Sequence, residues 1–347
     1  MRSEPWLAVM KPLDNRRRTV LTVLAFLLPL AVWSLVSYVP FVWHPMIRVT
    51  DCGDVSWFKP GLLINRADFS REAARVQVEH GRLPDGERAN PIYLPPPHHV
   101  ARALYTAFTT KPVLRGDFWL HESLWSSIRT IFWGFMLSSV VAVPLGILCG
   151  AYAAIARATE PFVDFIRYMP APAFGALMVA VFGIEREPKI AIVFIGTFFT
   201  QVLVIANTVR KVDPALLEAA QTLGAKRRQL LLGVIVPFSL PDLYNDMRIL
   251  LGCAWTYLIV AEAVGICSGI TFFINQQAKY RNFDNVYAAI IIIGTIGLVT
   301  DQVLAFIGQR LFAWRSLRQS RLRSFFVRLF VPYGEPLLPD KPAEAKS

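Results

Sequence analysis

Three groups of side chains in this sequence could do chemistry, and two of them lead to no catalytic arrangement. The histidines, His44, His80, His98, His99 and His121, crowd mostly into one polar stretch. His98-His99 is an adjacent pair, but a zinc site needs further ligands at set spacing, and none follows, so no metal is expected. Cys52, Cys149, Cys253 and Cys267 also lack metal-ligand spacing. Cys149 and Cys253 stand in apolar runs, where a thiol packs as a small hydrophobe. No Ser-His-Asp set spans the chain, and no GxxxxGK[ST] loop is present to cradle phosphates. The third group is Arg129, Arg167, Arg248 and Glu262, charges within or at the ends of apolar runs. There each must snorkel, pair, or line a polar path through a bundle. Arg248 and Glu262 are about 21 Å apart along one helix at 1.5 Å per residue, too far to pair within it. Glu262 therefore admits two readings, a functional ionisable group or a hydrogen-bonding tie between elements.

The elements that must hold these charges are apolar helices. Of the 347 residues, 54% are hydrophobic and 18% charged, and the apolar residues come in helix-spanning blocks. This composition predicts an all-α polytopic membrane protein rather than a soluble domain. The net charge of +11 does not point to nucleic acid, because the arginines lie between apolar blocks rather than along one soluble face. Positive charge beside cytosolic span ends is what orientation in a bilayer requires, with lipid headgroups as neighbours.

Six spans are expected, at 20–40, 121–151, 161–184, 188–207, 245–266 and 287–307, which place both termini in the cytosol. The domain organisation follows: a cytosolic segment 1–19, a first transmembrane helix 20–40, a periplasmic insertion 41–115, a five-span core 116–307, and a cytosolic tail 308–347. The run after Arg16-Arg17-Arg18 is too long for a signal peptide and lacks a small-residue cleavage site, so it is read as uncleaved. Within the insertion, 62–78 fits a strand or a short helix, and 100–110 reads as a helix. Pro144 and Gly146 predict a kink and a close helix approach. Pro170, Pro172 and Gly175 predict interrupted backbone lining a cavity or buried in protein. Residues 267–286 read as an amphipathic outer segment, and the arginine- and aromatic-rich start of the tail as an interfacial helix.

Between the fourth and fifth spans lies VDPALLEAAQTLGAKRRQLLLGVIVPFSLP, 212–241. Asp213 can cap a helix that Pro214 opens, and Gly224 can end it. Lys226, Arg227 and Arg228 follow before apolar residues resume and Pro237 and Pro241 interrupt them. The spacing of Glu218-Ala219-Ala220, Gly224 and Pro237 resembles the EAA loop of permease subunits of binding-protein-dependent ABC importers, closest to the nitrate, sulfonate, taurine and bicarbonate branch. The stretches RYMPAPA, 167–173, and LIVAEAVG, 258–265, resemble the same family. The resemblance covers roughly 123–314 and, more loosely, the first span; 41–115 and the last thirty or so residues depart from it.

That resemblance implies a six-span type I ABC importer permease fold with an enlarged periplasmic loop, in a bacterial inner membrane. It implies that the hairpin docks on a cytosolic ABC ATPase dimer through Glu218, Ala219, Ala220, Gly224 and Ala225, with Gly224 making the turn. The chain itself would need no cofactor; ATP and Mg would be bound by the ATPase. The further implied partners are a second permease subunit, identical by default, and a periplasmic or lipid-anchored substrate-binding protein. The implied solute is a small anion: nitrate, bicarbonate, taurine or another sulfonate. The alternatives are a permease for a non-anionic nutrient and an ion-coupled secondary transporter, which needs an intramembrane coupling site and an internal repeat.

Overall fold

The structure, a computed structural model, describes residues 15–39, 44–109, 118–264 and 268–312. The basic tail beyond 312, most of the segment 1–19, and Cys267 lie outside these residues. The described chain divides into two units, one ending at Ala89 and the other beginning at Asn90.

The first unit opens with α1 (Asn15–Tyr38), an apolar helix that keeps Pro29 in its interior. A small α/β module follows, built from β1 (Met46–Asp51), β2 (Leu63–Asn65), α2 (Arg66–Val78) and β3 (Asp85–Ala89). The strands form an antiparallel sheet in the order β2-β1-β3, with Met46 opposite both Asn65 and Ala89. Val49, Val55, Phe58, Ile64 and Val76 make its core. The two readings of 62–78 are both realised in sequence: a three-residue strand stops where Asn65 caps the helix, its Oδ1 accepting the Ala67 N–H at 3.2 Å. This sheet corrects the all-α expectation for residues 46–89. Its strands are too short and too charged to give a legible period of two.

The second unit is all-α. Its elements are α3 (Pro97–Thr109), α4 (Leu120–Ala151), α5 (Ala153–Arg167), a 3₁₀ turn (Ala171–Phe174), α6 (Gly175–Phe182), α7 (Glu187–Val209), α8 (Pro214–Thr222), α9 (Arg227–Leu230), a π turn (Leu231–Ile235), α10 (Val236–Ala261), α11 (Ile270–Lys279) and α12 (Phe283–Leu311). Four helices of the described chain are long and apolar enough to cross a bilayer: α1 from Arg17, α4, α7 and α12. The expected single span at 161–184 is instead two helices, α5 and α6, bent by 87°. Pro170 and Pro172 cause the break, since neither can donate a helical hydrogen bond. Counting that pair as one span gives five, not the expected six. The remaining expected span is α10, which starts earlier than 245 and carries Asp242, Asp246 and Arg248 in its first half. Those charges hold its hydropathy down although it is 26 residues long.

Close packing of α4 on α7 forms the centre of this unit. At Gly146 a Cβ would stand 2.8 Å from Ile205 Cβ and 2.9 Å from the Val202 carbonyl oxygen, so only glycine lets the backbones meet there. Polar side chains tie the apolar layers. Ser138 donates to Gln201 Oε1 at 2.9 Å, Thr208 to Asp246 at 2.5 Å, and Tyr244 to the Leu304 carbonyl at 2.8 Å. Such bonds fix register between helices that have little hydrophobic reason to choose one partner over another in lipid.

Candidate functional site

The hairpin between α7 and α10 is built almost entirely from local signals. Asp213 Oδ1 accepts the Ala215 N–H at 2.9 Å and so caps α8, with Pro214 in its first turn. At the other end Gly224 has φ 82°. Its N–H bonds the Gln221 carbonyl at 2.8 Å and the Ala225 N–H bonds the Ala220 carbonyl at 3.0 Å. These two bonds are the Schellman arrangement, in which a left-handed residue reverses the chain and satisfies the last helical carbonyls. Gln229 Oε1 then accepts the Lys226 N–H at 2.8 Å and starts α9. Pro237 cannot donate back up the helix, and just before it the winding loosens into the π turn, where the Val236 N–H reaches the Leu231 carbonyl.

No residue of α8 or α9 is buried. Glu218, Ala219 and Gly224 are exposed, and Ala220 and Ala225 are half-buried. Leu223 at the corner is 89% exposed, and Leu216, seven residues before it on the same helical face, 42%. The five residues singled out in the sequence thus share one short projecting corner, flanked by apolar side chains and Arg227 and Arg228.

The four intramembrane charges are not brought together. Arg129 is exposed on α4 and lines a cavity at the end of the bundle that holds Glu262. Arg167 is engaged locally on the last turn of α5, donating to Asp164 Oδ1 at 2.7 Å and lying over the Tyr168 ring. Arg248 donates through Nη2 to both oxygens of Asp301, at 2.8 and 2.9 Å, and so joins α10 to α12. Glu262, 5% exposed, accepts from the Ser127 hydroxyl of α4 and, at 2.7 Å, from the Thr271 N–H at the start of α11. Ser127 Oγ in turn accepts the Ile270 N–H at 2.8 Å. His99 Nδ1 lies 3.6 Å from Asp284 Oδ2, which ties α3 to α12.

Sequence reasoning missed Lys189, the second residue of the expected span 188–207. It is 1% exposed in the first turn of α7, where Nζ donates to the carbonyl and hydroxyl oxygens of Ser268 at 3.0 and 2.9 Å. Glu262, Lys189, Ser127 and the Ser268–Thr271 segment therefore form one buried polar knot across α4, α7, α10 and α11.

Residues 142–313 match the family model described as the binding-protein-dependent transport system inner membrane component, a range that includes the whole hairpin. An ABC transporter permease protein of Methanocaldococcus jannaschii is 35% identical over 229 residues, 66% of this chain and 85% of that one. The taurine transport system permease protein of Escherichia coli is 29% identical over 225 residues, 65% of this chain and 81% of that one. Among solved structures, the inward-facing MetNI methionine ABC transporter superposes with a TM-score of 0.50 at 19% identity, over 59% of this chain and 100% of that chain, a likeness of fold. With its membrane-crossing helices, its projecting hairpin and these matches, the chain belongs to the binding-protein-dependent transport family and is an ABC-importer permease subunit related to nitrate, sulfonate, taurine and bicarbonate permeases.

Proposed function

We propose that this subunit lines the path of a small anionic solute through a bacterial inner membrane, driven by a separate ATPase that docks on the 212–241 hairpin. The carrying observation is the α8 corner: a capped turn with no buried residue, on which Leu216 and Leu223, seven residues apart, share one exposed face and Glu218 lies exposed on another. An exposed apolar face with a carboxylate on another face of the same short helix fits a groove on a soluble partner. ATP and Mg would be held there, and differential binding of ATP to two arrangements of the pair would move the hairpins and reset the spans. In this reading α10 is the sixth span, its polar first half shielded by Asp301 and Thr208. Both termini then face the cytosol, and the 41–115 insertion faces the periplasm. A second permease subunit completes the path and a substrate-binding protein delivers the solute. The taurine, sulfonate, nitrate and bicarbonate names of the relatives support an anion as cargo. The secondary-transporter alternative would use Glu262 as a coupling site, but Ser127 and Thr271 already engage both of its oxygens.

The hairpin is tested at Gly224. A Cβ there meets nothing within 4 Å, so a substitution is opposed by backbone conformation alone. That cost is about 1–2 kcal/mol for ordinary residues and less for asparagine. The native bend therefore loses at most about 5–30-fold in population. Gly224→Val is expected to weaken ATPase docking and solute-stimulated ATP hydrolysis within that range, Gly224→Asn much less, and Glu218→Ala to uncouple hydrolysis from uptake. Normal docking and coupled turnover in Gly224→Val and Glu218→Ala together would refute the assignment.

A further inference from the structure

At the end of the bundle from which the hairpin projects, the chain turns a tight corner. α4 ends at Ala151 and α5 begins at Ala153, with Tyr152 alone between them. The last turn of α4, one face of α5 and the last turns of α7 wall a cavity of about 770 Å³ there. Gly150, Ala151 and Ala153 line it, and their short side chains leave the space open. Because α4 and α7 are both long and apolar enough to cross a bilayer, their shared end stands at headgroup depth.

The charged side chains of the lining are arranged rather than scattered. Arg157, Glu160, Asp164 and Arg167, spaced i, i+3, i+7 and i+10, share one face of α5, and Arg210 joins them from the C-terminus of α7. Arg210 donates through Nη2 to Glu160 Oε1, and Arg167 through Nη2 to Asp164 Oδ1 at 2.7 Å. The second oxygen of each carboxylate, Glu160 Oε2 and Asp164 Oδ2, has no partner among the described residues. Arg157 has no hydrogen bond or ion pair among them at all. An arginine that only sets orientation in the bilayer needs neither a cavity nor half-used acceptors beside it. Ion pairs as exposed as these two contribute little to stability, so a ligand can share their atoms without dismantling the fold.

We propose that this cavity holds the headgroup of a zwitterionic aminophospholipid, a phosphodiester that carries a primary ammonium. Arg157 holds the phosphodiester, its guanidinium fork matching two phosphate oxygens. Arg210 and Arg167 fix the two carboxylates, whose free oxygens accept the ammonium. A purely anionic headgroup would set its charge against both carboxylates, and a trimethylated one offers them no N–H. Phe165 and Tyr168, 63% and 75% exposed, flank the charged face of α5 and meet the glycerol backbone and the start of the acyl chains, where aromatic side chains gather in membrane proteins. This site requires only that α4 and α7 cross a membrane, and is independent of the transported solute and of the ATPase contact.

The test is native mass spectrometry of the detergent-solubilised full-length permease, titrated separately with phosphatidylethanolamine, phosphatidylcholine and phosphatidylglycerol of identical acyl chains. Phosphatidylethanolamine is expected to bind at least tenfold more tightly than either of the others, the scale of one charge-assisted hydrogen bond. Arg157→Gln should weaken its binding about tenfold. Asp164→Asn should abolish the preference over phosphatidylcholine and leave phosphatidylcholine binding itself unchanged. Thermal melts of both variants without added lipid should match wild type, which separates loss of the site from loss of the fold. O-phosphoethanolamine and inorganic phosphate, at the same concentration as the lipid, should not displace it. Equal binding of the three lipids, or binding indifferent to both substitutions, overturns the proposal. Displacement by either soluble phosphate overturns it as well, and assigns the cavity to a soluble phosphate compound instead.

Discussion

Glu262→Gln is expected to cost this protein far more than the loss of one oxygen's charge on a surface would. The carboxylate accepts from the Ser127 hydroxyl on one oxygen and from the Thr271 N–H on the other, and both partners are buried. A glutamine side chain offers one oxygen and one NH₂, so one of the two donors must face another donor. Leaving that donor unsatisfied costs about 1–3 kcal/mol. The substitution also removes a carboxylate from the knot that holds Lys189, which is 1% exposed and cannot turn to water. Removing one carboxylate from the surroundings of a buried ammonium adds to this, by less than the ~3–5 kcal/mol of a broken contact pair. The two effects overlap, and Lys189 keeps both Ser268 oxygens, so the total should sit near 3 kcal/mol rather than at the sum. For a helical unit of this size, about 2–4 °C of melting temperature corresponds to 1 kcal/mol, which gives a fall of about 6–12 °C. The assay is intrinsic-fluorescence melting of the full chain in nanodiscs, with Lys189→Met and the Glu262→Gln/Lys189→Met pair run beside it. The double variant should melt above the temperature predicted by adding the two single losses, because neither charge is then left alone. A single Glu262→Gln variant that melts within about 2 °C of wild type, or strict additivity in the pair, would refute the reasoning that one knot joins α4, α7, α10 and α11.

Two further outcomes follow from the packing. Exchanging an interior helical glycine for alanine ordinarily helps by about 0.5–1 kcal/mol; at Gly146 the sign should reverse, because the new Cβ meets Ile205 and the Val202 carbonyl, whereas Gly294→Ala, with nothing within 4 Å, should be neutral or stabilising in the same melting assay. Asp301→Asn should destabilise by about 1.5–3 kcal/mol, more than its 45% exposed side chain suggests, because Arg248 is only 10% exposed. Replacing both by Arg248→Met/Asp301→Leu should recover most of that loss in thermal melts.

Much of this could be read from the sequence wherever the determining signal is local. The lengths of the apolar runs give α1, α4, α7 and α12 directly, and Asp213, Pro214 and Gly224 write the hairpin into consecutive residues. The failures share a different cause. Pro170 and Pro172 announced an interruption, but a kinked helix and two helices at 87° carry the same residues, so the angle could not be read from them. The 46–89 sheet escaped because its strands are held by pairing between segments, not by a period within either. Lys189 was missed because a lysine after Glu-Pro at a helix start looks solvated, while its acceptors at Ser268 lie 79 residues away. The same holds for Ser127 and Glu262, 135 residues apart, and for Arg248 and Asp301, 53 apart. A topological argument could have found the first of these. In the expected topology Glu262 lies near the end of one span and Lys189 at the start of another on the same side, and a carboxylate at that depth requires a donor or a counter-charge at its own level. The cost of burying polar groups in an apolar bundle therefore makes each one a distance restraint: once the span ends are placed, a buried carboxylate points to where its partner must be.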